Sequence, residues 1–213
     1  MKFPQLKLFI LFALAAVALG CGNNRIAEAD NQARAAQVPP VNSSTPEASP
    51  TRELDVPYVP TPEAVVAEML SMAEVKGDDV LYDLGSGDGR IPITAAKRFG
   101  TRGVGIDLNP VRVKEANENA EKEGVTDKVR FIEGDIFEAD FSEATVVTLY
   151  LLPQVNLRLR DTILDMKPGT RVVSHNYDMG TWAPEKTKTI KVNGTDHYVY
   201  FWRVPENKKD AVQ

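Results

Sequence analysis

The chain has 213 residues, enough for one ordinary domain and an additional segment but not for several large domains. Hydrophobic residues make up 43% and charged residues 26% of the sequence, values ordinary for a soluble globular protein that favour neither a fibrous nor a wholly disordered one. The net charge of -5 argues against general electrostatic binding to nucleic acid, and the single cysteine, Cys21, excludes an intrachain disulfide and a cysteine-based metal cluster.

Residues 1–21 have the layout of a secretory signal. Lys2 and Lys7 precede an apolar run over residues 8–19, which is too short to span a bilayer comfortably. The run leads into Ala18-Leu19-Gly20-Cys21, which resembles a bacterial lipobox, although Ala18 stands where a larger aliphatic residue is usual. These features predict a signal peptide with a lipobox and a membrane-anchored lipoprotein, acylated at Cys21, on the extracytoplasmic side. The alternative is a retained N-terminal membrane anchor.

Residues 22–55 are predicted to form a flexible tether. They are rich in Asn, Ala, Ser, Pro and Glu and show little apolar periodicity, so they would bury too little surface to offset the entropy of ordering. One domain is predicted over residues 56–204, followed by a tail over residues 205–213. Its first residues, Val56-Pro57-Tyr58-Val59-Pro60, carry apolar and aromatic groups that are able to pack on the domain.

The first half of the domain alternates between strands and helices. Pro62 follows Thr61 at a helix start, and apolar residues then recur at helical spacing until Ala73, with an end expected near Gly77. The following pattern predicts strands at residues 79–84, 104–107 and 128–133, and helices at residues 91–99 and 110–124. This order predicts parallel strands with helices on the faces of the sheet.

The second half ends with a hairpin. An uninterrupted apolar run over residues 145–152 predicts a central strand that is buried on both faces. A helix at residues 157–166, a strand at 170–174 and two β-rich runs at 187–192 and 196–204 follow, and Asn193-Gly194 between the last two is a strong hairpin signal. The pattern is typical of the Rossmann-like, seven-strand α/β fold of methyltransferases, with a parallel sheet, a C-terminal antiparallel hairpin and helices on both faces.

The turn Gly85-Ser86-Gly87-Asp88-Gly89 follows the first strand, at the end of the sheet where open α/β folds bind ligands. Asp83 ends that strand and is placed either to fix the orientation of the turn or to hold the ammonium group of a methionine moiety, directly or through water. Asp107 ends the second strand and is placed to accept hydrogen bonds from both hydroxyls of a ribose. Asp135 follows the third strand and is placed to accept one from the amino group of adenine.

Three carboxylates suit S-adenosylmethionine, because this cofactor carries a sulfonium and an ammonium group. No metal is expected. The residues predicted to bind the cofactor are Asp83, Gly85, Ser86, Gly87, Gly89, Asp107, Leu108, Asp135 and Ile136.

A nicotinamide-dependent oxidoreductase is the competing interpretation, since it also uses a glycine turn and an acidic residue about 20 positions later. The spacing disfavours it. The third glycine of the turn comes one residue too early for that fingerprint, and Arg90 stands where the glycine is required. Asp88 would also crowd a bound pyrophosphate.

Several segments together resemble the lysine methyltransferases that modify the mitochondrial ATP synthase. The resemblance covers most of residues 56–203 and is carried by residues 58–63, 83–91, 149–155 and 171–174 and by Trp182 with Pro184. The chain is more distantly similar to the seven-strand histone-lysine methyltransferases, which also carry a tyrosine-proline segment before the first helix. The resemblance implies a protein-lysine N-methyltransferase whose partner is a protein with an accessible lysine, a membrane protein being one candidate.

The acceptor side of this fold is lined by the segment after the fourth strand, here Tyr150-Leu151-Leu152-Pro153-Gln154. It lacks the Asp or Asn, Pro-Pro and aromatic residues that methylation of base amino groups usually employs, so nucleic acid is not expected as a partner. Tyr58, Tyr150 and Pro153 are predicted to border the acceptor channel. Tyr150 fits a core position equally well, and His175 is more readily explained as a structural histidine than as an acid or base.

An export signal would separate the domain from the cytoplasm, where S-adenosylmethionine is made. Two alternatives therefore stay open beside an active lysine methyltransferase: an exported module that binds the cofactor without turnover, and a small-molecule methyltransferase in which the Tyr58 segment acts as a lid. A monomer is favoured.

Overall fold

The computed structural model describes residues 58–211, which fold around a seven-stranded sheet. In chain order the elements are α1 (Glu63–Met72), β1 (Val80–Leu84), α2 (Arg90–Phe99), β2 (Arg102–Asp107), α3 (Pro110–Glu123), β3 (Val129–Glu133), β4 (Val146–Leu149), α4 (Pro153–Leu164), β5 (Arg171–His175), β6 (Lys186–Val192), β7 (Thr195–Arg203) and a 3-10 helix (Lys208–Ala211). The strand order is β3-β2-β1-β4-β5-β7-β6. The first five strands are parallel, and β7 is antiparallel to both of its neighbours. The predicted fold is confirmed.

The predicted signal peptide and tether lie outside the described residues. So do the first two residues of the predicted domain and the last two of the predicted tail. The boundaries at residues 21, 55 and 204 stay predictions. Within residues 58–211, no helix is both long enough and apolar enough to cross a membrane.

Local sequence signals account for most element ends. The side chain of Asn109 accepts a hydrogen bond of 2.9 Å from the amide of Val111 and so caps α3, whose first residue is a proline. Helices α2 and α3 end at glycines in the left-handed conformation. In the hairpin, Asn193 and Gly194 both have positive φ, 49° and 85°, as a tight two-residue turn requires.

Helices cover both faces of the sheet. Leu81 of β1 packs against α1 and α2, whereas Tyr82 and Leu84 pack on the opposite side with residues of α4. Helix α3 lies beside α2 on the first of these faces. Because both faces are covered, all five residues of β1 are buried.

Several element boundaries differ from the predictions, and α4 begins four residues before its predicted start at residue 157. Strand β4 ends at Leu149 and α4 begins at Pro153, so residues 150–152 connect them instead of extending the strand. Leu151 is buried because it packs against the core and over the glycine turn, so its apolar character reflects burial and not strand structure. Helix α1 ends at Met72, where Arg171 donates hydrogen bonds of 2.9 Å to the next two carbonyl oxygens of the chain.

The order of the strands creates a crevice beside β1. The chain passes from β1 to β2 and β3 on one side and returns to β4 and β5 on the other. The loops that follow β1, β2 and β4 therefore diverge at the carboxyl end of the sheet, where ligands of such sheets bind.

Candidate active site

A cavity of about 220 Å³ lies in this crevice. Its walls are formed by the segment before α1, the glycine turn, the loops after β2 and β3, and the connection after β4. It brings together ten of the twelve residues predicted for the two sites, namely Tyr58, Asp83, Gly85, Ser86, Gly87, Asp107, Leu108, Asp135, Ile136 and Tyr150.

The glycine turn lies in direct contact with two walls of the cavity. Gly87 has a φ of 54°, and a Cβ atom added there would lie 2.4 Å from Cε2 of Tyr58. Gly85 has a φ of 78°, and its added Cβ would lie 2.6 Å from Cδ2 of Leu151. Both the backbone conformation and the close approach of neighbouring side chains therefore require glycine at these positions.

The structure does not place Gly89 and Pro153 at the cavity wall. Gly89 precedes α2 and packs away from the cavity, because a Cβ there would lie 2.5 Å from Phe131 and 2.9 Å from Ala116. Its role is close packing against β3 and α3. Pro153 is exposed in the first turn of α4, where its fixed φ suits a helix start, and its neighbours Leu152 and Val155 line the cavity instead.

The Asp107 carboxylate is held at the end of β2 by two backbone amides. Its Oδ2 accepts a hydrogen bond of 2.8 Å from Gly87, and its Oδ1 accepts one of 2.9 Å from Asn109. Because each carboxylate oxygen has two lone pairs, both oxygens keep capacity for a further donor. The carboxylate is thus oriented before any ligand binds.

The Asp83 carboxyl is almost fully buried, with 3% of the residue exposed. Thr148 Oγ1 donates a hydrogen bond of 2.6 Å to it. Burial raises the pKa of Asp83 to about 7, since the hydrogen bond from Thr148 only partly offsets the loss of solvation, and the charges of Asp107 and Asp88 raise it further. A cation beside this carboxyl would favour its charged form.

The loop after β3 presents Asp135 and Ile136 to the cavity. Asp135 Oδ1 accepts a hydrogen bond of 3.0 Å from the amide of Phe137, which fixes the carboxylate within the loop. Leu108 and Ile136 are both partly buried at the cavity wall. An apolar pair beside a carboxylate suits a flat heteroaromatic ring that carries a hydrogen-bond donor.

Residues 58–61 cover the glycine turn and are attached to it by contacts that involve Asp88 and Arg90. The ring of Tyr58 lies over Gly87, and the Arg112 guanidinium carbon lies 4.4 Å from the centroid of that ring. Arg90 donates a hydrogen bond of 2.8 Å to the carbonyl oxygen of Thr61 and forms an ion pair of 2.6 Å with Asp88.

Aromatic side chains cluster at the connection after β4, where Tyr150 and Tyr177 line the cavity. The rings of Tyr150 and His175 pack with their centroids 3.9 Å apart, and Tyr177 lies 6.4 Å from Tyr150. His175 is fully buried, and burial, with the charge of His197 adding to it, lowers the pKa of His175 to about 4. The prediction of a structural histidine agrees with its burial, because both ring nitrogens have hydrogen-bond partners.

Two residues that shape this part of the site were not predicted from the sequence: Tyr177, which lines the cavity, and Asn156, which holds the backbone beside it. Tyr177 lines the cavity because Asn176 adopts a φ of 63° and turns the chain directly after β5. Asn156 of α4 is fully buried, and its side-chain amide donates hydrogen bonds of 3.2 and 3.3 Å to the carbonyl oxygens of Tyr177 and Asp178. The one available signal was the asparagine after the strand, since asparagine tolerates a left-handed conformation better than most residues.

Known proteins with related sequences share this site region. A family model described as the ANTKMT methyltransferase domain matches residues 83–186. A protein-lysine N-methyltransferase from Saccharolobus islandicus is 48% identical over 155 residues, which are 72% of this chain and 96% of that protein. An ATP synthase lysine N-methyltransferase from Xenopus laevis is 33% identical over 144 residues, 67% of this chain and 63% of that protein.

A solved structure is also similar. The RNA methyltransferase from Salinibacter ruber, in complex with S-adenosyl-L-homocysteine, superimposes with a TM-score of 0.66 and 57% sequence identity. The match covers 70% of this chain and 95% of that chain. S-adenosyl-L-homocysteine is what S-adenosylmethionine becomes when its methyl group is transferred, so this similarity supports the predicted cofactor.

The predicted location is wrong on these comparisons. A lipoprotein acylated at Cys21, or a retained anchor, would hold the domain at the outer side of a membrane. The Saccharolobus enzyme instead aligns with this chain over 96% of its own length, so that relative consists almost entirely of the methyltransferase domain. Cys21 and the predicted signal lie outside the described residues.

Proposed function

The chain belongs to the family of S-adenosylmethionine-dependent protein-lysine N-methyltransferases, and we propose that it transfers a methyl group to the ε-amino group of a lysine in a protein. The observation that carries this proposal is the 48% identity to a protein-lysine N-methyltransferase over 96% of that enzyme. The alternative of an exported binding module without turnover depended on the predicted export signal, so it is rejected together with the predicted location.

The residues at the cavity fit the cofactor. Asp107 is proposed to accept hydrogen bonds from the two ribose hydroxyls, since both of its oxygens are oriented and keep free capacity. Asp83 would hold the ammonium group. Ser86 also lines the cavity, but its hydroxyl is buried near Gly105 of β2 and has no hydrogen-bond partner within residues 58–211.

The adenine end is proposed to lie at the loops after β2 and β3. Asp135 would accept a hydrogen bond from the exocyclic amino group, while Leu108 and Ile136 contact the ring. Gly85 and Gly87 allow the backbone to approach the cofactor closely. The expectation that no metal takes part stays a prediction, as does the monomeric state.

S-adenosylmethionine supplies a methyl carbon bound to a positively charged sulfur, which an amine attacks in line with the breaking bond. The protein must hold the amine near attack distance and exclude water. Tyr58 and Tyr150 are proposed to border the amine, because both residues line the cavity and aromatic faces attract a cationic nitrogen. Pro153 is replaced in this role by Tyr177, which the sequence analysis did not find.

RNA is the second candidate acceptor, because the Salinibacter structure that is 57% identical to this chain is described as an RNA methyltransferase. Two observations favour protein. The net charge is -5, and the segment after β4 reads Tyr150-Leu151-Leu152-Pro153, without the polar residue and aromatic platform that usually hold a base amino group.

A labelled-methyl experiment separates these candidates. The purified chain is incubated with methyl-labelled S-adenosylmethionine and with protein, RNA and small-molecule fractions of its source. Label that resists ribonuclease, is lost with protease and maps to lysine supports the proposal. Ribonuclease-sensitive label would replace it with RNA methylation, and label only in the small-molecule fraction would indicate a metabolite acceptor. An Asp107→Ala variant is the control for transfer that depends on this site.

A further inference from the structure

Three polar side chains form a hydrogen-bonded line from the cavity towards the protein surface. Thr61 lines the cavity, and its Oγ1 lies 3.1 Å from Nδ1 of His175. Nε2 of His175 lies 2.8 Å from Nδ1 of His197. Thr61 is 4% exposed and His175 is fully buried, whereas His197 is partly exposed. The line therefore starts at the cavity wall and ends at solvent.

The line joins three separate parts of the fold. Thr61 precedes α1, His175 ends β5 and His197 belongs to β7. The titratable groups that face His175 are His197 from β7 and Tyr150 from the connection after β4. Two histidines placed this way bring polar groups into a region where apolar side chains would avoid the cost of desolvation. Such an arrangement suggests a use beyond packing.

A lysine acceptor creates a need for such a line. Free lysine has a pKa of about 10.4, so only about one amine in a few thousand is unprotonated at pH 7. Methyl transfer requires the lone pair of the neutral amine, and once the acceptor has closed the cavity its proton must leave through the protein. Asp83 lies in the cavity too, but the proposed cofactor site engages its carboxylate with another ammonium group.

We propose that Thr61, His175 and His197 form the path along which the acceptor ammonium passes its proton to solvent, an inference that rests on the proposed lysine acceptor. The N–H bond breaks and its electron pair stays on nitrogen as the attacking lone pair. The proton moves to Thr61 Oγ1, the Thr61 proton moves to His175 Nδ1, and the His175 Nε2 proton moves to His197 Nδ1. His197 then releases its Nε2 proton to water. After the product has left, the reverse transfers take a proton from water at His197 and deliver one to water in the open cavity, which restores the starting tautomers.

The burial of His175 suits a group that passes a proton without keeping it. Its low pKa keeps the ring neutral at pH 7, so one nitrogen donates and the other accepts. In this proposal Thr61 and the two histidines assist the removal of the proton from the acceptor ammonium and do not act on the methyl group. Their removal should therefore lower the rate of transfer and leave cofactor affinity unchanged.

The test compares Thr61→Val with Thr61→Ser in single-turnover methyl transfer between pH 7 and pH 10, using the lysine protein that the unmodified chain labels. Valine has nearly the shape of threonine but no hydroxyl, and serine keeps the hydroxyl; the carbonyl oxygen that binds Arg90 is present in both. We expect Thr61→Val to lower the rate at least tenfold at pH 7 and less than threefold at pH 10, where much more of the acceptor arrives as the neutral amine. Thr61→Ser should retain at least half of the rate.

His197→Gln is the second variant, because its site is partly exposed and the substitution is expected to leave the fold intact. It should show the same loss at pH 7 and the same recovery at pH 10. Unchanged rates at pH 7 in either Thr61→Val or His197→Gln would overturn the path, and so would a loss of equal size at both pH values, which indicates a structural role. If the unmodified chain labels no lysine, the proposed function fails and the path fails with it; if it labels lysine but the variants behave as the unmodified chain, the path alone fails.

Discussion

Replacing Asp83 with asparagine is expected to stabilise the ligand-free protein and to weaken its binding of S-adenosylmethionine. Burial raises the pKa of this carboxyl from 3.8 to about 7. Because the folded pKa is the higher one, stability from this group is fully present below pH 3.8 and is lost as the pH rises to about 7. A difference of about three pKa units corresponds to ~4 kcal/mol, which is the upper limit of the free energy of unfolding that the asparagine substitution restores at high pH.

Urea unfolding of the two ligand-free proteins at pH 4 and pH 8 measures this effect. Asparagine can still accept the hydrogen bond from Thr148. The difference in free energy of unfolding between the variant and the unmodified chain should therefore shift by about 1 to 4 kcal/mol in favour of the variant between pH 4 and pH 8. His175 is present in both proteins, so its own titration cancels from the comparison. A stability difference that does not change with pH would refute the reasoning about burial, and unchanged cofactor affinity in calorimetric titration would remove Asp83 from the ammonium site.

Three further substitutions, with Gly169→Ala as a control for the first, test the site and the fold. Gly87→Ala should lower cofactor affinity at least tenfold in calorimetric titration, because the added Cβ would displace the ring of Tyr58. Gly169→Ala is the control. Gly169 also has a positive φ, but the space around its Cβ is open, so this substitution should cost only about 1 kcal/mol of stability. Asp107→Ala should abolish measurable cofactor binding without unfolding the chain; binding of unchanged affinity would contradict the ribose assignment. Arg171→Met should lower the free energy of unfolding by about 3 kcal/mol in urea, because it leaves the buried Asp79 carboxylate without its charged partner; a loss below about 1 kcal/mol would contradict this.

The cofactor side of the cavity was predictable because each of its carboxylates lies at or just after the end of a strand. Alternation of strands and helices predicts parallel strands, and parallel strands bring Asp83, Asp107 and Asp135 to one edge of the sheet. Only local pattern and chain direction are needed for this inference. Long-range packing decides what this inference does not reach. Gly89 packs against Phe131 and does not line the cavity, although its sequence context is the same as that of its neighbours.

The acceptor side was less predictable because its parts come from distant positions in the chain. Tyr177 reaches the cavity through a left-handed residue and a buried amide from α4, and neither leaves a periodic signal. The contact between Thr61 and His175 joins residues 114 positions apart. Sequence spacing carries no information about such a pair until the sheet order is known.

The segment over the cavity couples the two halves of the site. Tyr58 packs on Gly87 of the glycine turn, and Arg90, directly after that turn, donates a hydrogen bond to the Thr61 carbonyl oxygen. The side chain of Thr61 contacts His175, whose ring packs against that of Tyr150. The glycine turn and the aromatic residues around Tyr150 are therefore joined by a single connected set of contacts. For this reason the rate of methyl transfer and the affinity for the cofactor must be measured separately in every variant of residues 58–61.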